Sequence, residues 1–234
     1  MLRSLFAFAS MLALSLPVVA RPPAPAPPER AQNPEVVLHG EVDRYLLNPF
    51  GEVDGLLLKD GTQVHLPPHL SRQLVEAVKP GASVRIAGES NTSRVVHAQT
   101  IENMQTHDRI ADAAPDPKSA PSQRAGLRRM QAAGEVKTLL KGPRGETNGV
   151  VLDDGTIVRF PPRIGDQFET LLRPGNQLAA SGYGTRTQYG NVFEATDLGA
   201  DANAMHTLYE TRLDRGALPD QDAGPDAIQR PRRQ

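Results

Sequence analysis

Apolar and polar positions alternate in three successive runs in the first half of the chain, and the same runs return in the same order 94 residues later. The first copies span residues 36–47, 53–59 and 62–66. Alternation with a period of two is typical of β-strands that bury one face. The chain is therefore predicted to contain a tandem duplication of a small β-rich unit.

The clearest repeat is DGTQVHLPP at residues 60–68, which returns as DGTIVRFPP at residues 154–162. An Asp-Gly pair between two apolar runs predicts a tight hairpin, and the two prolines are expected to end the strand that follows. Glycines and prolines recur at matched turns elsewhere in the two copies, which requires the same backbone path twice.

The strand inside this repeat has two different faces. Thr62, Val64 and Leu66 should point into a core, whereas Gln63 and His65 should point to solvent. In the second copy the outward position of His65 holds Arg159. Scaffold positions are thus kept and outward positions have changed, so we expect function to lie in the changed residues.

A short helix and two more strands complete each unit. The helix is expected to start at the Pro-Pro pair and to bury an apolar stripe. The stripe contains Leu70, Leu74, Ala77 and Val78 in the first copy and Ile164, Phe168, Leu171 and Leu172 in the second. Pro-Gly ends the helix, and strands are predicted at residues 83–87 and 94–101 and at residues 177–181 and 191–198. The fold class predicted is mainly β, with two tandem five-stranded barrels, each carrying one helix between strands three and four.

This order of elements, the glycine in the long first strand at Gly40 and Gly134, and the Asp-Gly hairpin resemble the OB-fold. With the N-terminal features described next, the chain is similar to small periplasmic OB-fold proteins of bacteria. The resemblance implies binding of single-stranded nucleic acid or oligosaccharide on the face of strands two and three, or of a small ligand in the periplasmic proteins.

The N-terminus is typical of a secretory signal, with Arg3 before an apolar run and small residues before Arg21. The predicted organisation is a signal peptide over residues 1–20, a Pro-rich spacer over 21–34, a first domain over 35–104, a linker over 105–127, a second domain over 128–200 and a mostly disordered tail over 201–234, with a helical turn expected at 205–213. The expected location is the periplasm or the medium, with no membrane span after signal removal.

Composition narrows the function classes. The chain has no cysteine, which excludes disulfides and thiolate metal sites, and aromatic residues make up 4% with no Trp. The net charge of −1 gives no global basic surface for a polyanion. Nucleic acid is therefore an unlikely partner, and an unknown small ligand or a cell-envelope protein is preferred.

Histidines are concentrated in the first copy, where His65 and His69 flank Leu-Pro-Pro and His97 lies on the predicted fifth strand. His65 and His69 could hold Zn, Cu or Ni if His97 or a carboxylate such as Glu89 came close. The alternative is that these are ordinary half-exposed polar side chains, and this alternative is preferred, so no cofactor is assigned.

The second copy carries the basic and aromatic alternatives. The candidates for an anion-binding or nucleic-acid surface are Arg144, Arg159, Arg163 and Arg186, with Tyr183 and Tyr189 in a Gly-rich hairpin. No nucleophile elbow, phosphate loop or zinc-protease motif is present, so the chain is not expected to be an enzyme. The overall prediction is an exported, non-catalytic binding protein whose ligand contacts include Gln63, His65, His69, Arg159, Arg163, Tyr183 and Arg186.

Overall fold

A computed structural model describes residues 35–92, 94–112, 126–142 and 144–209. The predicted signal peptide, the Pro-rich spacer, the centre of the linker and most of the C-terminal tail lie outside these residues. Among the helices in the described ranges, none is long and apolar enough to cross a membrane.

The first domain is a closed barrel of five strands to which a sixth, short strand is added at the edge. Its elements are β1 (Glu35–Leu47), β2 (Val53–Leu58), β3 (Gln63–His65), a 3₁₀ turn (Pro68–Leu70), α1 (Ser71–Ala77), β4 (Ser83–Thr92), β5 (Val95–Asn103) and β6 (Arg109–Ala111). The strand order is β3-β2-β1-β4-β5-β6, and the parallel pairing of β3 with β5 closes the barrel.

The second domain repeats this plan. Its elements are β7 (Arg128–Lys141), β8 (Thr147–Leu152), β9 (Ile157–Arg159), α2 (Pro162–Gln167), β10 (Gln177–Thr187), β11 (Gly190–Gly199) and β12 (Met205–Thr207). The order β10-β7-β8-β9-β11-β12, closed by β10 with β11, matches the first domain strand for strand. This topology is that of the OB-fold, and the prediction of two tandem five-stranded barrels is confirmed.

The long first strand of each barrel pairs with two neighbouring strands. The first half of β1 pairs with β4 as far as Glu41, and its second half pairs with β2 from Val42 onward. A register shift follows Val42, and the equivalent shift in β7 follows Val136. A bulge lets the strand turn from one side of the barrel to the other. It lies just after the glycine position at which the sequence predicts a bend.

The repeated Asp-Gly-Thr segment is explained by its hydrogen bonds. Asp60 Oδ1 accepts from the Thr62 amide at 2.9 Å, and Asp60 Oδ2 accepts from the Thr62 hydroxyl at 3.0 Å. Asp154 and Thr156 form the same two bonds, both at 2.8 Å. The glycine between them has φ of 86° in the first copy, a left-handed conformation that only glycine adopts at low cost.

Both predicted apolar stripes contribute to the cores. Leu70, Leu74 and Val78 are buried around α1, and Ile164 and Leu172 are buried around α2. The Tyr45 hydroxyl donates to the Val78 carbonyl at 2.7 Å, which ties the end of α1 to β1. Because both helices have fewer than eight residues, their position is held by packing rather than by helix propensity.

The two edge strands were not predicted. β6 pairs with β5 inside the stretch assigned to the linker, and β12 pairs with β11 inside the stretch assigned to the tail. The prediction of a helical turn at residues 205–213 is wrong at its start, since Met205–Thr207 is extended. Three residues are too few to show a period of two, so these strands exist because a free edge is available for pairing.

Candidate functional site: the interface between the barrels and its two clefts

The outward side of β3 faces the other barrel rather than solvent. Gln63 is only 4% exposed, and its amide bonds to two backbone groups of β7. Its Nε2 donates to the Leu139 carbonyl and its Oε1 accepts from the Lys141 amide, both at 2.8 Å. Gln63 therefore joins the first barrel to the second by a two-point amide contact.

A second pair of contacts follows the duplication. His65 in the first copy donates through Nε2 to the carbonyl of Lys141 at 3.0 Å. Arg159 in the second copy donates through Nε to the carbonyl of Leu47 at 3.1 Å. His65 and Arg159 occupy the same position of the repeat, and so do Leu47 and Lys141. Each barrel thus donates a hydrogen bond to the equivalent backbone carbonyl of the other barrel. Reciprocal contacts of this kind are typical of a two-fold dimer, here formed approximately within one chain.

The environment of His65 keeps its ring neutral. Burial is the main cause that lowers the pKa of His65 from 6.5 to about 4, and the neighbouring Arg159 and His97 lower it further. Because a carbonyl oxygen can only accept, Nε2 must carry the hydrogen in the contact with Lys141. The neutral ring with hydrogen on Nε2 is therefore the form that joins the barrels at neutral pH.

Arg159 is held on its other side by acidic and amide groups. Its Nη2 lies 3.3 Å from Oδ1 of Asp54 in the first barrel, and Nη1 lies 3.4 Å from Oδ1 of Asn148 in its own barrel. Burial raises the pKa of Asp54, and the guanidinium of Arg159 opposes that rise. The Asp54 side chain is 22% exposed and that of Arg159 is 11% exposed, so a partly buried ion pair joins the two barrels.

Apolar contacts and a loop contact complete the interface. The ring of Tyr189 meets the edge of Tyr45 with centroids 5.4 Å apart. The apolar cluster of the first barrel continues into Leu140, Val151, Ile157 and Val192 of the second. The Thr185 hydroxyl donates to the Pro49 carbonyl at 2.6 Å. One apolar cluster consequently spans the interface, while the second barrel also has a core cluster of its own.

These contacts change the interpretation of the predicted ligand residues. The expectation that Gln63 and Arg159 face solvent is wrong, since both are buried and bonded to the other barrel. His65 is likewise engaged with the other barrel. The groups that a free OB face would offer to a ligand are used to fix the two barrels together.

Other predicted residues lie on the outer surface of the second barrel. Tyr183 is 46% exposed on β10, in register with Arg129 on one side and Glu194 on the other. Arg163 is exposed and lies over the ring of Tyr209, 5.5 Å from its centroid. Arg186 is also exposed, three residues beyond Tyr183 and hence on the opposite side of the strand. The structure does not bring these residues together with His65 or Gln63, and their ligand role stays a prediction.

The predicted metal ligands are only partly assembled. His65 and His97 are in register on β3 and β5, with ring centroids 5.7 Å apart and nearly parallel planes. His69 belongs to the 3₁₀ turn before α1, and the described residues contain no group of three His, Cys, Asp or Glu side chains that could hold a metal ion. The three-histidine site that the sequence analysis raised as a hypothesis is therefore not assembled in the described residues.

Two clefts flank the interface and are related by the duplication. The larger, here called the basic cleft, has a volume of about 460 Å³. It is lined by Gly61, Gln63, Arg94, Val95, Lys137, Thr138, Leu139, Lys141, Gly145 and Pro174. The smaller, here called the mate cleft, has a volume of about 250 Å³. It is lined by Arg44, Tyr45, Leu47, Asp154, Gly155, Ile157, Tyr189, Gly190 and Asn191.

Most lining positions of one cleft have an equivalent in the other. Gly61 corresponds to Gly155, and Lys141 corresponds to Leu47, by the 94-residue offset. Arg94 precedes Val95 as Asn191 precedes Val192, and these valines pair with the equivalent residues of β3 and β9. The lining positions are therefore largely duplicated, while an excess of basic side chains is found in only one of the two clefts.

Comparison with known proteins adds little at the level of sequence. No family profile matches the chain, and no curated protein matches it. Among solved structures, it is similar to the wild-type single-stranded DNA binding protein from Thermus aquaticus, with 14% identity, coverage of 80% of this chain and 100% of that chain, and a TM-score of 0.24. A deletion mutant of the same protein gives 12% identity, coverage of 82% and 100%, and a TM-score of 0.23. Likenesses this weak carry no argument about function, and the OB assignment depends on the strand order itself.

Sequence reasoning missed the residues that give the basic cleft its charge. Arg94, Lys137 and Lys141 lie in three different predicted elements, so no local motif marks them. The signal that could have found them was the comparison of the two copies. At the positions of Lys137 and Lys141 the first copy has Asp43 and Leu47. The charge therefore differs between the copies by two units at the first position and by one unit at the second.

Proposed function

We propose that this chain is an exported, non-catalytic binding protein in which two OB barrels act as one rigid unit and hold a small ligand in the basic cleft. The observation that carries this proposal is the composite nature of that cleft. Arg94 and Gly61 come from the first barrel, and Lys137 and Lys141 come from the second. Neither barrel could form it alone.

Two features support a small ligand over a polymer on the OB face. The polar groups that β3 and β9 present on that face are engaged at the interface, where Gln63 and Arg159 are buried. The volume of about 460 Å³ falls in the range of about 300–1,000 Å³ that is usual for small-molecule sites. Oligosaccharide and single-stranded nucleic acid remain candidates only for the exposed strip around Tyr183. If the chain instead binds a protein of the cell envelope, the proposed small-ligand site in the basic cleft would be wrong.

Export and binding can be tested on the same preparation. The full chain is expressed with its own N-terminus, recovered from the cell envelope fraction, and sequenced from its N-terminus. We expect the mature protein to begin at or near Arg21. Native mass spectrometry of the gently purified protein then shows whether a small molecule is retained.

A steric variant tests the place of binding without changing charge. Thr138 lines the basic cleft and is half-buried, so Thr138→Trp should fill the cleft and abolish retention of the ligand. Gln99→Trp places the same bulk on an exposed position of β5 and should leave retention unchanged. Retention of ligand by Thr138→Trp, or capture of a protein partner in place of a small molecule, would contradict the proposal.

A further inference from the structure

We propose that the ligand of the basic cleft is a small, multiply charged anion that carries phosphate groups. This inference rests on the proposed function, because it assigns a chemical class to the ligand of the same cleft. It does not depend on whether the chain is exported, nor on which chemical group the phosphates of the ligand are attached to.

The basic cleft concentrates positive charge that carboxylates of the described residues neutralise only in part. Arg94 donates through Nη1 to the Asp60 carbonyl at 3.2 Å, and Lys141 donates through Nζ to the Thr147 hydroxyl at 2.8 Å. Within the described residues neither side chain forms an ion pair with a carboxylate. Lys137 is paired with Glu135 at 2.8 Å, in an exposed contact that a competing anion could replace. Two unpaired cations and one weakly paired cation therefore face the same space.

The backbone that carries two of the cations is also held in place, by contacts from β3 of the first barrel. The Lys141 amide is fixed by Gln63 and the Lys141 carbonyl by His65, both from the first barrel. The Arg94 carbonyl accepts from the Gln63 amide at 2.9 Å, so the backbone of Arg94 is tied to β3. Preorganised cations lose less conformational freedom on binding an anion than free surface lysines do. Arginine can in addition present a planar fork to phosphate oxygens.

The mate cleft is an internal control provided by the duplication. Where the basic cleft has Lys137, Lys141 and Arg94, the equivalent positions hold Asp43, Leu47 and Asn191. Its one cation, Arg44, is paired with Asp43 at 2.9 Å. If packing of the two barrels alone required basic residues at these positions, both sides of the pseudo-symmetric interface should carry them. The charge of the basic cleft is thus a feature of one site and not of the scaffold.

The lining favours a phosphate compound over a nucleic-acid strand. None of the ten residues that line the basic cleft is aromatic. Single-stranded nucleic acid is usually held by bases stacked on aromatic side chains along an extended basic groove. Three cations in a single cleft match instead a ligand with two or three negative charges close together.

The test is calorimetric titration of the mature chain with inorganic pyrophosphate at low ionic strength. We expect binding that weakens as salt is added, because exposed charges are screened within about 10 Å at 0.1 M salt. Arg94→Asn and Lys141→Leu introduce the residues that the mate cleft already carries, so both variants should fold. Each removes one charge-assisted contact and should weaken binding by about 10- to 100-fold.

Matched controls keep the outcome interpretable. Arg44→Thr removes one positive charge from the mate cleft, introduces the residue of the equivalent position Thr138, and should leave pyrophosphate binding unchanged. A short oligothymidylate should bind no more tightly than pyrophosphate and should not depend on Arg94 or Lys141.

Absence of pyrophosphate binding, equal binding by Arg94→Asn and Lys141→Leu, or tight binding of oligothymidylate that requires the same residues would overturn the inference. A neutral molecule retained in the native mass spectrum and displaced by Thr138→Trp would support the proposed function while overturning the phosphate assignment.

Discussion

The amide of Gln63 provides the sharpest test of the idea that the barrels form one rigid body. Gln63→Ala removes both hydrogen bonds to β7 and leaves the Leu139 carbonyl and the Lys141 amide without these partners. A typical hydrogen bond contributes about 1 kcal/mol net, and a partly buried group left unsatisfied costs about 1–3 kcal/mol. We therefore expect Gln63→Ala to lower the free energy of unfolding by about 2–4 kcal/mol. That is a large share of the 5–15 kcal/mol that is usual for a folded domain.

The assay is urea unfolding followed by far-ultraviolet circular dichroism at neutral pH. The control is Gln73→Ala, which removes the same amide from an exposed position of α1 and should change stability by less than about 0.5 kcal/mol. An equal effect of the two substitutions would refute the reasoning, because it would mean that the Gln63 contacts do not persist in solution. A change in the slope of the unfolding curve would show in addition whether the barrels separate before they unfold.

Three further predictions concern the same interface and the barrels behind it. His65 has a pKa of about 4 in the folded protein and about 6.5 in the unfolded chain, so the unfolded state binds the proton first as pH falls. The free energy of unfolding should therefore fall by roughly 3 kcal/mol between pH 6.5 and pH 4. The urea midpoint should depend less on pH in His65→Gln than in the unmodified protein, and parallel curves for the two proteins would contradict the assignment. Arg159→Leu should cost about 3 kcal/mol, the lower end of the loss that is usual when a buried ion pair is broken, because it leaves the partly buried Asp54 without its cation. Adding Asp54→Asn should recover part of that loss, and strict additivity in this double-mutant cycle would exclude the coupling. Gly182→Ala would place a methyl group against the backbone carbonyl of Glu194 and should prevent normal closure of the second barrel. Gly40→Ala would meet only the side chain of Leu58 and should destabilise the protein less. Thermal melting of the two variants tests this order, and a greater loss of stability in Gly40→Ala would contradict it.

The fold could be predicted from local sequence features because each feature occurs in both copies of the repeat. Asp60 and Thr62 form a turn that needs only its own three residues, and the same bonds recur at Asp154 and Thr156. Val64 is buried because the alternation of its strand places it inward. Both signals depend on neighbours in sequence, so the strands, the hairpins and the short helices could be recognised before any contact was known. The edge strands β6 and β12 were not predicted because they are extended through pairing with β5 and β11 and not through a pattern in their own residues.

The amino-acid sequence by itself determined the duplication, the order of elements in each barrel and the division of β3 into a core side and a polar side. Only the tertiary structure decided what the polar side faces. The pattern of a strand separates apolar from polar positions but does not distinguish solvent from a polar interface, since Gln63 and Arg159 satisfy their hydrogen bonds with the backbone and side chains of the other barrel instead of water. Docking of the barrels also brought together Arg94 and Lys141, which no spacing along the chain connects. A site made from two domains has no local signature, because the distances that create it are set by packing.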